Sequence, residues 1–238
     1  MDSLSKIMLT FLQRAHVYEK QTKWVNCNEC IDPLIPEKFG TGLSIDVCAG
    51  TGAVSKALIN RGWTTISLDM SEPMLLDRNL ILPMVGDMHQ IPFLSNTFDL
   101  VVCRQGLQYS NLDLAISEMA RISKGKVYLG HITKEENDIF DFWPKYFSIA
   151  SPGRKHIFEF DEIEKHIVHL GFKITSHIFT HQQDYYFGPI LHLKEAEKLF
   201  LVELLLDAPD EFKAMYNVKV LDGEITYSNR WEFLSFEV

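Results

Sequence analysis

The sequence predicts an α/β fold: a seven-stranded, mostly parallel sheet with helices on both faces. Three observations predict it. Short runs rich in apolar and β-branched residues alternate with segments of helical hydrophobic period, the pattern of repeated strand–helix–strand units with right-handed crossovers. The first strand runs into a glycine turn, Cys48-Ala49-Gly50-Thr51-Gly52, that opens the next helix; glycine there lets a backbone approach a ligand without a Cβ clash. Acidic residues fall near the ends of the first three strands, at Asp46, Asp69 and Asp87, where open sheets of this class bind their ligands. Composition agrees, because 46% of the 238 residues are hydrophobic and 23% charged, the balance of a folded domain and not of a disordered chain.

Each element follows from its own residues. Leu4, Ile7, Met8, Phe11, Leu12 and Ala15 recur at helical spacing over residues 3–23, and Pro33, Pro36, Gly40 and Gly42 punctuate a loop. Residues 43–48 form the first strand, and 53–60 a helix stopped by Gly62. Residues 64–68 form the second strand, after which Ser71 caps a helix with Pro73 in its first turn. Met84-Val85 is a minimal third strand and 98–103 the fourth. Residues 111–122 make a helix with Leu114, Ile116, Met119 and Ala120 inward, and 126–130 the fifth strand. Residues 161–170 are a helix closed by Gly171, and 172–180 the sixth strand. A helix over 193–207 carries the stripe Leu199, Val202, Leu205 and Leu206, read as core or a dimer contact; the last strand is 231–238. The expected organisation is one domain, 1–238, with an N-terminal helical lid (1–42), a core (43–180), a helical insertion (181–230) and the last strand.

Charge and motifs narrow the function. Lys plus Arg number 23 against 32 Asp plus Glu, a net charge of -9; this lacks the basic footprint of a nucleic-acid binder. No run of 18 apolar residues could span a membrane. Gln13 and Arg14 end the apolar start too soon for a signal peptide. Of four cysteines, Cys48 and Cys103 fall in strand-like runs, which suggests free thiols and a cytoplasmic setting. Cys27-Asn28-Glu29-Cys30 has no second pair to complete a zinc site, so no metal is expected.

A cofactor without phosphate fits these residues better than a dinucleotide. A dinucleotide needs G-x-G-x-x-G; here the third glycine position is Ser55, and Asp46 would repel a pyrophosphate, which disfavours a nicotinamide oxidoreductase. S-adenosyl-L-methionine (SAM) fits better. Asp69 would accept the two ribose hydroxyls, Asp87 the adenine amino group, and the Met88 N–H would donate to the ring. The Gly50-Thr51-Gly52 loop would lie along the methionine portion, and a cleft of negative potential tolerates the sulfonium.

These residues resemble a family. Ser44–Gly52 resembles the first motif of class I SAM-dependent methyltransferases, and Leu68–Leu75 the second. Gly86–Phe93 followed by Asn96–Val101 resembles the third and fourth, and Glu118–Ile122 the helix before the fifth strand. The motifs stand in order over about residues 10–180. Cys48 departs from the usual first glycine, and Ser123-Lys124-Gly125-Lys126 from the usual turn. The resemblance implies a Rossmann-like sheet and a methyltransferase of the type 11 kind, with S-adenosyl-L-homocysteine (SAH) as product. Implied cofactor residues are Tyr18, Asp46, Cys48, Ala49, Gly50, Thr51, Gly52, Asp69, Met70, Met74, Asp87, Met88 and Arg104. Trp24, Gln105, Tyr109, Trp143, Tyr146, His156 and Tyr186 are candidates for the acceptor pocket. His131, after the fifth strand, is the candidate general base, since imidazole takes a proton near neutral pH. His166 and His169 read as solvated.

The expected activity is methyl transfer to an oxygen, nitrogen or carbon of a small molecule. The net negative charge and the aromatic-rich insertion suggest an amine-bearing acceptor, with no nucleic-acid or membrane partner and a monomer or homodimer. One alternative is carboxyl methylation of a carrier-protein-bound acyl group, for which Arg121, Lys124, Lys126, Arg154 and Lys155 would form a basic rim. Another is a non-catalytic SAM-binding protein on the same fold.

Overall fold

The computed structural model describes residues 3–21, 23–35, 41–75, 82–185, 191–221 and 224–238. Its strands are β1 (Leu43–Val47), β2 (Thr64–Asp69), β3 (Leu82–Val85), β4 (Leu100–Arg104), β5 (Lys126–Thr133), β6 (Lys173–Tyr185), β7 (Lys219–Leu221) and β8 (Glu224–Glu237). The sheet order is β3-β2-β1-β4-β5-β8-β6, with β7 paired to β8. β1 to β5 run parallel, and β8 runs antiparallel to both neighbours. The reversal between β1–β3 and β1–β4 opens a crevice at the carboxyl ends of β1 and β4, where this class of sheet binds ligands.

The helices are α1 (Ser3–Arg14), α2 (Tyr18–Gln21), α3 (Ala53–Asn60), α4 (Leu112–Ile122), α5 (Phe142–Ala150), α6 (Glu162–His169), α7 (Glu195–Leu206) and α8 (Asp210–Met215). Alternation along β4 sends Val101 and Cys103 to one face of the sheet and Leu100 and Val102 to the other. Ile116 and Met119 of α4 and Ile163 and Ile167 of α6 cover the first face. Val54 and Leu58 of α3, with Val25, Ile31 and Leu34, cover the second. A third cluster joins α5, α7 and α8 through Phe142, Trp143, Tyr146, Leu201, Phe212 and Tyr216. Among the described residues, no helix is long and apolar enough to cross a membrane.

Several expectations are corrected. The sheet has eight strands, not seven; β7 is three exposed residues, too short to leave a period. The last strand starts at Glu224, not 231, because Thr226–Arg230 pair with His181–Tyr185 of β6. Leu114 faces solvent, since the buried stripe of α4 is Leu112, Ala115, Ile116, Met119 and Ala120, spaced as one helical face. In α7, Leu201 and Leu205 are buried while Leu199 and Leu206 are exposed. The long first helix stops at Arg14 and continues as short turns. The helix expected after Ser71 is a single 3-10 turn, Glu72–Leu75.

Candidate active site

The β1–α3 turn is built from left-handed backbone. Gly50 (φ 57°) and Gly52 (φ 83°) lie in that region, and so does Cys48 (φ 62°), where a side chain carries a steric cost. The turn is held by carboxylates. Asp69 Oδ2 accepts the Gly50 N–H at 2.8 Å and Oδ1 the Ser71 N–H at 2.8 Å. Burial raises the Asp69 pKa, and these backbone donors oppose the rise. Asp46 Oδ2 accepts from Ser55 N–H at 2.9 Å and Ser55 Oγ at 2.7 Å; burial lifts its carboxyl to about 6. Asp46 thus ties β1 to the first turn of α3.

Asp87 Oδ1 accepts the His89 N–H at 2.9 Å and lies 2.6 Å from His89 Nδ1. The Asn111 N–H, an obligate donor, lies 2.9 Å from His89 Nε2, so Nε2 accepts and the ring proton sits on Nδ1, facing Asp87. His89 was not among the candidate residues.

These groups enclose a cavity of about 440 Å³, lined by Asp46, Cys48, Ala49, Gly50, Thr51 and Asp69. Met70, Met74, Asp87, Met88, Tyr18 and Arg104 complete it. All but one of the thirteen expected cofactor residues therefore meet; Gly52 stands just behind, opening α3. Thr51 Oγ1 and Ser71 Oγ are buried at this wall without hydrogen-bond partners. Buried polar atoms are ordinarily satisfied, so the pair fits a polar ligand lying on the loop. Arg104 lines the cavity but is committed elsewhere. Its Nη2 donates to Val25 O at 2.8 Å and its Nη1 to Trp24 O and Cys30 O at 3.4 Å, which fastens residues 24–30 over the end of β4.

A second cavity, of about 100 Å³, lies alongside. Phe11, Tyr18, Trp24, Gln105 and Tyr109 line both and form the boundary between them. Trp143 and Tyr146 of α5, two of the acceptor candidates, also line the second cavity. Gln105 sits at φ 54° with its Nε2 buried and unpaired. Tyr109 Oη lies 2.6 Å from Ser151 Oγ.

Three expectations fail to meet there or fall outside it. His131 is 1% exposed and lines neither cavity. Its Nε2 lies 2.7 Å from Glu232 Oε2, and the other oxygen of Glu232 lies 2.6 Å from His177 Nε2. The alternation of β5 points this ring under α6 against Phe158, so the expectation of a cleft base is corrected. His156 is withdrawn too, with its Nε2 3.0 Å from Ser110 O and its ring stacked on Phe158. Tyr186 lies outside the described residues. His166, read as solvated, lies 2.7 Å from Asp113 through Nδ1. Sequence reasoning missed Phe11 and Arg14 and read Arg154 as part of an outer basic rim, whereas all three line the second cavity. Arg14 had a signal, for it falls seven residues after Ile7 on the apolar stripe of α1, where a charge is out of place.

Residues 45–129 match the family model of a methyltransferase domain. A ubiquinone/menaquinone biosynthesis C-methyltransferase of Burkholderia multivorans is 33% identical over 104 residues, 38% of this chain and 43% of that protein. A malonyl acyl-carrier-protein O-methyltransferase of Buchnera aphidicola is 31% identical over 119 residues, 48% of each chain. The matched stretch is thus under half the length of these curated relatives. Among solved structures, a proposed methyltransferase of Bacillus halodurans superposes with a TM-score of 0.74 at 19% identity, over 84% of this chain and 94% of that one. Residues 45–129 are thus similar to the methyltransferase-domain family, and the sheet carries the fold of the superposed structure.

Proposed function

We propose that the protein transfers a methyl group from SAM to a small-molecule acceptor, leaving SAH. The observation that carries this reading is the pair of adjoining cavities with a shared aromatic boundary. One is sized and lined for an adenosyl cofactor; the other is mostly apolar and aromatic, as small-molecule sites are.

When bound, SAM supplies a methyl group on a sulfonium, open to direct displacement. The chain supplies position and dryness. Asp69, already fixed by two backbone donors, keeps lone pairs for ribose hydroxyls. Phe11, Tyr18 and Trp24 exclude water at the junction, and holding the acceptor in line there lowers the barrier by orientation. Among the described residues the junction holds no His, Asp or Glu; Tyr18, Gln105 and Tyr109 are its polar side chains beside the Trp24 indole.

Calorimetry tests the cofactor. SAM and SAH bind and NAD does not, and Asp69→Ala weakens SAH by about 10- to 100-fold, the worth of one or two hydrogen bonds to a charged group. Tight NAD binding without SAM binding refutes the reading. A labelled-methyl assay on a metabolite extract tests turnover; binding without any transfer would favour a non-catalytic SAM protein. The Buchnera relative favours a second reading, carboxyl methylation of a carrier-bound acyl group. The expected basic rim gives it little support. Arg121 pairs with Glu118, Lys124 with Asp99 and Lys126 with Glu237, while Arg154 lines the inner cavity.

A further inference from the structure

The second cavity carries charge that the protein itself does not neutralise. Arg14 is 8% exposed, and its Nε is buried without a hydrogen-bond partner. Its guanidinium lies 5.8 Å and 5.2 Å from the ring centres of Phe11 and Tyr18. Arg154 uses only its Nε, donating to His156 O at 2.7 Å, and its guanidinium lies 4.0 Å from the Phe147 ring centre. Among the described residues, no Asp or Glu lines this cavity. Its third cation, Lys134, is neutralised by Glu159 at 3.0 Å.

Aromatic faces alone do not account for this. The other arginines stacked on rings among the described residues are also paired. Arg230, between Phe160 and Phe179, has Glu135 at 3.7 Å; Arg104, over Trp24, donates to three carbonyls. Buried charges are ordinarily paired because desolvation is costly. In a chain of net charge -9, two guanidiniums facing one cavity without a carboxylate stand out. Burial, with the Arg14 charge adding to it, pushes the Arg154 pKa down to about 10, so that guanidinium stays charged near neutral pH.

The pair is also mechanically fixed. Thr10 Oγ1 donates to Lys6 O at 2.9 Å and lies 3.3 Å from Pro152 O. Gly153 (φ 100°) receives α1 so closely that a Cβ would stand 2.8 Å from Ile7 Cγ1. The helix bearing Arg14 and the loop bearing Arg154 are therefore docked on each other.

We infer that the acceptor is an organic acid: a carboxylate or phosphate held by Arg14 and Arg154, with an apolar body against Trp143, Tyr146 and Phe147. This rests on the reading of the second cavity as the acceptor site. It reverses the expectation of an amine, which two unneutralised cations would repel. Planar guanidinium forks match both oxyanions in geometry.

The test is calorimetric titration of the SAH-saturated protein with four probes sharing one ring: 4-hydroxybenzoate, 4-hydroxyphenyl phosphate, 4-hydroxybenzamide and 4-hydroxybenzylamine. At least one acid binds ten or more times tighter than the amide, the amine does not bind, and the better acid identifies the oxyanion. Arg14→Gln and Arg154→Gln each weaken that acid at least tenfold and leave SAH affinity within twofold. Amide or amine binding as tight as the acids, no probe binding at all, or full acid affinity in both variants overturns the inference. If a variant loses SAH as well, the comparison of the four probes on the unaltered protein decides alone. If the unaltered protein binds no SAH, the cofactor reading fails instead, and the same titrations without SAH still decide this one.

Discussion

Two buried acids on neighbouring strands do different work. Asp69 organises the glycine loop from a partly open position, while Asp46 is 1% exposed and bound to Ser55. Raising the Asp46 carboxyl from 3.8 to about 6 has a definite sign. The folded state keeps the proton where the unfolded chain has released it, so stability falls as pH rises from about 4 through about 6. The full change is about 3 kcal/mol at 1.36 kcal/mol per unit. Asp46→Asn, whose Oδ1 still accepts from Ser55, removes that slope. Urea denaturation of both proteins from pH 4 to 7 reads it; parallel curves would show that the carboxyl is not strained. His131 makes the opposite case, a titratable group whose place is structural. His131→Asn costs about 1–3 kcal/mol through the buried Glu232 it leaves underpaired. It leaves the pH profile of kcat unmoved, whereas loss of a general base would lower kcat by about 10²–10⁴.

The β1–α3 turn and the start of the segment after β4 constrain each other as elements. A Cβ on Gly106 would stand 2.5 Å from both Cβ and Sγ of Cys48. The side chain that Cys48 adds at a left-handed position is thus accommodated by a glycine on the neighbouring connection. Gly106→Ala overpacks this contact, at about 1–3 kcal/mol, and pushes the cofactor loop out of register with Asp69. Cys48→Gly relieves the backbone and opens the space, so the double variant recovers most of the stability and SAH affinity that Gly106→Ala loses. Purely additive effects in a thermal-melt and calorimetry cycle would show that the two residues do not communicate.

At the scale of the whole molecule, the cofactor cavity is shared between the sheet and the N-terminal segment. Arg104 at the end of β4 holds residues 24–30 by their carbonyls, and Phe11, Tyr18 and Trp24 close both cavities. Ligand binding therefore stabilises more than its contact shell. SAH at 100 times its Kd adds about 2.7 kcal/mol, a rise in Tm of about 5–10 °C for a chain of this size. Amide exchange slows over the described residues of 3–30 most, because those elements hold no strand of the sheet and line the ligand cavity. Slowing confined to the parallel strands would mean that the segment does not close on the ligand.

The sequence by itself determined the parallel core, the glycine turn and the trio Asp46, Asp69 and Asp87 at the strand ends. These follow from local patterns: hydrophobic period, glycine placement and the position of an acid at the end of a strand. It also singled out Trp143 and Tyr146, which line the second cavity. It could not determine which way His131 points, because a residue at the far end of β5 faces the cleft or the α6 side according to register and to what β8 brings beside it. Nor could it join Arg14 to Arg154, which are 140 positions apart in the chain. Only the docking of α1 on the Pro152–Gly153 loop brings the two cations to one cavity, which no Asp or Glu among the described residues lines. Charge balance in a folded protein is a property of neighbours in space, and composition averages it away.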